Sequence, residues 1–258
     1  CKSLKKIELP QSIKEIGTDL FEECSALKEV IMPDGMTSVS MDMFRGCTSL
    51  NSIKLPESIT RIGTYAFGDC VSLSEINIPS SVKRIGSFAF YNCKALDGIT
   101  LPNALETIRY KTFEGCQSLK EIVIPQNVTS IASRAFLDCT SLTNVVVPEG
   151  VQELRNSVFR VCTSLESASL PNTITTMGYR TFEGCTSLVN VNIPTGISEL
   201  PHRTFMDCSS LTTVEMPNSI TSIDWEAFAG CKSLTNVSLP SSLDSIGSSA
   251  FWNCESLE

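Results

Sequence analysis

Residues 70–92 read CVSLSEINIPSSVKRIGSFAFYN, and residues 93–115, CKALDGITLPNALETIRYKTFEG, repeat the same registers. Cysteine heads each stretch, leucine follows three residues later, proline stands at the tenth place and phenylalanine at the twenty-first. The pattern runs through the whole chain. Its twelve cysteines fall at 1, 24, 47, 70, 93, 116, 139, 162, 185, 208, 231 and 254, a constant spacing of 23 with no insertion. Repetition at a fixed period of this length is the mark of a solenoid, in which each unit covers its apolar face with the next. With the cysteine as position 1, positions 7, 9, 13 and 16 are aliphatic in nearly every copy, Ala168 being the only small residue among them.

The spacing within a unit assigns local structure. In Glu75-Ile76-Asn77-Ile78 apolar residues alternate with polar ones, the period-2 pattern of a strand with one buried face. Pro79 lacks the amide that a ladder needs and ends that strand, as its equivalents do in every copy. Positions 13 and 16 form a second, shorter extended stretch, often followed by glycine, as at Gly63, Gly86 and Gly178. Positions 20, 21, 1 and 4, as in Ala89, Phe90, Cys93 and Leu96, recur at helical offsets and predict a short α or 3₁₀ turn. Stacked about 4.8 Å apart, eleven such coils make parallel strands and internal ladders of like residues. The expected fold is an α/β repeat solenoid, a right-handed superhelix of eleven 23-residue units, forming a single domain over residues 1–258. Both chain ends fall inside a repeat, as expected of a fragment of a longer chain.

The consensus C-x-S-L-x-x-I-x-L-P-x-x-I-x-x-I-G-x-x-A-F-x-x resembles the BspA-like, or Treponema-type, leucine-rich repeat, and the resemblance covers the entire chain. It implies a leucine-rich-repeat solenoid of a surface or secreted protein of host-associated microbes, with adhesion to host or microbial partners as the usual role. Several copies depart from the motif: the common glycine at position 17 is Ser40, Arg109, Ala132, Arg155, Pro201 or Asp224. The common alanine at position 20 is Leu20, Met43, Thr112, Val158, Thr181 or Thr204.

Catalytic and metal chemistry find little support. No two cysteines lie closer than 23 residues, so close-paired zinc ligands are missing, and a ladder of buried free thiols is the expected arrangement. The single histidine, His202, lies beside Pro201 in a variable segment with no orienting motif around it. Neither a phosphate-binding loop nor a cofactor motif is present. A formal net charge of −8 argues against general affinity for nucleic acid or anionic membrane. No apolar run is long enough to insert in a membrane.

Specificity in a repeat protein resides in positions that vary between copies. The strand face at positions 6 and 8 carries Asn77, Glu121, Asn144, Asn190, Asn192 and Asn236, a polar surface. Positions 17 to 19 gather Arg109, Tyr110, Lys111, Arg134, Arg155, Tyr179, Arg180, His202, Arg203 and Trp225. Stacking aligns these as a ridge of cations and aromatics, residue types enriched at binding hot spots, suited to an acidic protein patch or an anionic glycan. The expectation is a non-enzymatic interaction module without cofactors, with a structural spacer as the alternative. Coils left uncapped are also expected to pair end to end.

Overall fold

The computed structural model describes residues 1–258. Coils are numbered here from each cysteine, so that Cys1, Cys24 and Cys47 open coils 1, 2 and 3. Two rows of short strands run along the stack. The first, at positions 6–8, pairs parallel with a constant 23-residue offset, setting Ile53 beside Ile76 and Val145 beside Ala168. The second, at positions 15–16, sets Ile62 beside Ile85 and Leu154 beside Met177. Between the rows the proline carbonyl accepts the amide of position 13, as from Ile59 to Pro56 at 3.1 Å. This turn uses the residue that ends the first strand to start the second.

Neither row is continuous: the first has no strand in coils 5 and 6 and divides again between coils 2 and 3 and between coils 9 and 10, and the second divides at two places. In most coils the amide of position 17 donates to the position-16 carbonyl of the preceding coil, as Gly86 does to Ile62 at 2.9 Å and Gly178 to Leu154 at 2.7 Å. The second row divides between Thr176–Met177 and Glu199–Leu200, where Pro201 has no amide to donate. It also divides between Arg84–Ile85 and Thr107–Ile108, where the Arg109 amide has no acceptor in the chain.

The solenoid and its register are as the sequence implies, but the corner before each cysteine is a run of tight turns with no helix. Two residues per coil, at positions 19 and 23, adopt positive φ, as Asp42 at 53° and Gly46 at 68° do in coil 2. An L-residue helix cannot pass through that conformation. Amides therefore alternate between two kinds of partner. Those of positions 20, 22 and 1 turn back three residues, as Cys47 does to Phe44 at 3.1 Å. Those of positions 19, 21 and 23 reach the next coil, as Phe44 does to Ala66 at 2.9 Å. Where threonine replaces alanine at position 20, its buried hydroxyl donates to the carbonyl three residues earlier, from Thr112 to Arg109, Thr181 to Gly178 and Thr204 to Pro201. These departures from the motif thus leave no unpaired hydroxyl in the core.

One continuous apolar core runs the length of the stack. Its phenylalanines lie face to face, with Phe90, Phe113, Phe136 and Phe159 at centroid spacings of 5.5 Å and near-parallel planes. Beside them the cysteines form a ladder of free thiols. Each inner thiol donates to a phenylalanine carbonyl 26 residues earlier, as Cys116 does to Phe90 at 3.2 Å and Cys185 to Phe159 at 3.0 Å. Burial pushes these thiols far above their ordinary pKa, that of Cys185 to about 12. The Cys185 thiol is thereby held protonated as a hydrogen-bond donor.

Candidate functional site

Positions 17 to 19 lie where the second strand gives way to the corner. At position 23 the positive φ is met mostly by Gly, Asn or Asp, the residues that tolerate it best. Position 19 adopts the same conformation yet carries neither Gly nor Asn in any coil. Lys111, Arg134, Arg180 and Arg203 all occupy it, at φ of 55° to 60°. A long side chain there costs about 1–2 kcal/mol relative to the relaxed backbone. The conformation recurs in every coil, so it belongs to the turn and fixes where these side chains leave the backbone.

The cations of this edge differ in how they are held. Lys111 is largely buried, 3.3 Å from Glu114 and packed over the rings of Phe88, Tyr91 and Tyr110. Arg155 pairs with Glu153 at 2.7 Å, and Arg180 with Glu183 at 3.3 Å. Arg203 joins Glu226 at 2.6 Å, with its guanidinium 4.5 Å from the centre of the Trp225 ring. Arg109 and the exposed Arg134 have no carboxylate partner. Ser157 is buried and leaves a gap in the row between Arg134 and Arg180.

Over coils 8 to 10 the edge becomes an aromatic stack. Tyr179, His202 and Trp225 occupy position 18 of successive coils, with centroids 4.6 Å apart and planes within 15°. The His202 Nδ1 lies 3.4 Å from an Asp224 carboxylate oxygen, and no hydroxyl or thiol hydrogen-bonds to its ring. Its two faces are covered by neighbours, so it serves as the middle of a stack. Beside it lies a shallow groove of about 400 Å³ bounded by Arg155, Tyr179, His202 and Asp224. Rings stacked edge-out present a rigid polar-tipped border with little rotamer freedom left to lose on binding.

Two further features escaped the reading of the ridge. Arg61 and Arg84, at position 15, join Arg109 around a groove of about 370 Å³ on coils 1 to 5. On the strand face, Val123 and Val146 are 80% and 68% exposed at position 8 of adjacent coils, between shallow grooves of about 780 and 630 Å³. An apolar pair thus interrupts the polar row. The sequence signal for both was equivalence of position across coils, visible once position 15 or 8 is read down the stack.

The sequence profile of the BspA type leucine rich repeat region (6 copies) matches residues 1–97, 37–166, 83–212 and 131–258, which together span the chain. A leucine-rich repeat protein from Bacteroides ovatus ATCC 8483 is 31% identical, the match covering 100% of this chain and 78% of that one with a TM-score of 0.71. A leucine rich cell surface protein from Faecalibacterium prausnitzii A2-165 is 27% identical over 98% of this chain and 86% of that one, with a TM-score of 0.56. A leucine-rich repeat protein from Eubacterium ventriosum ATCC 27560, 21% identical over 93% of this chain and 89% of that one, shares the fold with a TM-score of 0.57. No functionally curated protein matches the chain. No helix is long and apolar enough to cross a membrane. Matched along its whole length, the chain belongs to the BspA-type leucine-rich repeat family, whose repeat proteins are typically protein-interaction modules and typically not enzymes.

Proposed function

We propose that the chain is a cell-surface or secreted adhesion module that binds a partner protein along the edge formed by positions 17 to 19. The observation that carries this reading is the Tyr179–His202–Trp225 stack with the Arg203 guanidinium laid against its end. Tryptophan, tyrosine and arginine dominate binding hot spots, and here they are ordered before any partner arrives. Arg155 and Arg180 flank the stack and supply charge-assisted donors to an acidic rim. The surface setting draws on the cell surface relative from Faecalibacterium prausnitzii.

The test is binding to a panel of purified extracellular-matrix and cell-surface proteins by the wild type and by Tyr179→Ala/Trp225→Ala. Truncating two anchors at a hot spot should weaken the selected interaction by about thirtyfold or more, at unchanged circular dichroism. Binding that survives the double substitution moves the site to the strand face around Val123 and Val146. Binding to no member of the panel favours a structural spacer instead.

A further inference from the structure

Nine arginines occur in the sequence, and Arg45, Arg155, Arg160, Arg180 and Arg203 each sit against a carboxylate. Of the remaining four, Arg61, Arg84 and Arg109 line one groove, and no acidic residue lines it with them. Arg61 and Arg84 are direct neighbours in register on adjacent parallel strands. Like charges so placed repel and weaken the pairing. The chain has 28 acidic residues, yet none lines this groove.

Two more features mark the same place. The second strand row divides beside Arg84, and Arg109 presents both an unpaired guanidinium and an amide without an acceptor. The floor is closely packed backbone: a Cβ on Gly86 would stand 2.5 Å from the Thr64 nitrogen and one on Gly63 2.6 Å from the Met41 nitrogen, so the two glycines let adjacent coils approach here. Thr64 and Ser87 line it, and Met41 is the one markedly exposed apolar side chain. The aromatic anchors that peptide and protein partners require are missing from its lining. Guanidinium forks match carboxylate and sulfate oxygens in pairs. Their repetition at the coil spacing of about 4.8 Å suits a chain that carries anions at intervals.

We propose that the groove of Arg61, Arg84 and Arg109 binds a linear glycan bearing spaced carboxylate or sulfate groups, as a second site separate from the aromatic edge of coils 8 to 10. The oxyanions sit in the arginine forks, and sugar hydroxyls meet Thr64 and Ser87.

Calorimetric titration with hyaluronan and chondroitin sulfate oligosaccharides tests this, the first offering carboxylates alone and the second sulfates as well. Neutral dextran, polyglutamate and single-stranded DNA serve as controls. Wild type is expected to bind at least one of the two glycans, more weakly as salt is raised. Arg61→Ser/Arg84→Ser/Arg109→Ser should lower that affinity by about tenfold or more, while Tyr179→Ala/Trp225→Ala leaves it unchanged. The replaced side chains lie outside the core, so melting of the triple variant checks that the fold persists. The proposal is overturned if neither glycan binds, if the folded triple variant binds as the wild type does, or if polyglutamate or DNA binds as tightly as the glycans.

Discussion

Coils 3 to 5 and coils 8 to 10 share one interior plan and differ in the chemistry of the edge. Both halves stack phenylalanine on phenylalanine and hang each thiol from the phenylalanine carbonyl 26 residues earlier. Yet positions 15 to 19 give the first half Arg61, Arg84 and Arg109 without carboxylates, and the second Tyr179, His202 and Trp225 with Arg203 balanced by Glu226. An invariant core lets the edge change its chemistry from coil to coil without disturbing the packing. The interior should therefore respond alike in both halves, and the edge in opposite ways.

The largest expected effect is alkaline. The thiol of Cys185 has a folded pKa of about 12 against an ordinary value of 9.0, and Cys93, Cys139, Cys162 and Cys208 are likewise raised by burial. A thiol that binds its proton more tightly when folded leaves stability untouched below pH 9. Stability then falls between pH 9 and about 12, as the unfolded chain ionises first. Because these thiols span both halves, circular dichroism against pH should show loss of structure in both within that window. A chain whose melting temperature stays level to pH 12 would refute the thiol ladder.

Next come the phenylalanines. Phe113→Ala and Phe182→Ala each remove a fully buried ring from a stack that has little room to collapse, and each should cost about 3–5 kcal/mol in urea unfolding. Equal costs support a uniform interior; a cost confined to one half would break the comparison.

The smallest effects carry opposite signs. Arg61→Thr relieves a like-charge neighbour and should raise stability by about 0.2–1 kcal/mol. Arg203→Thr loses its part-exposed pair with Glu226 and its stacking on Trp225, and should lower stability by up to about 1 kcal/mol. Matching signs in thermal melts would show that the two edges are not built differently.

The solenoid was legible because cysteine, leucine, proline and phenylalanine hold fixed places in 23 residues. The corner was misread for a physical reason. Offsets of 0, 1, 4 and 7 between apolar residues fit a helix, but equally fit turns that return to the core after two left-handed residues. Gly46, Asn92 and Gly115 at position 23 announced one of those; Phe88 and Lys111 at position 19 concealed the other. On the edge, the alignment of Tyr179, His202 and Trp225 at one position of successive coils could be foreseen from register. The pairing of Lys111 and Arg180 with Glu114 and Glu183, three residues on, was also open to view. The arginine groove was hidden because position 15 carries acids in other coils, at Glu15, Glu153 and Glu199, so its clustering appears only when neighbouring coils are compared.

The central claim, that an invariant core presents a variable edge for recognition, is tested most directly by amide hydrogen exchange with and without the panel protein that binds best. Slowed exchange confined to positions 17 to 19 of coils 7 to 10 is the predicted footprint. Slowing on the strand face around Val123 and Val146, with the edge unchanged, would contradict the account.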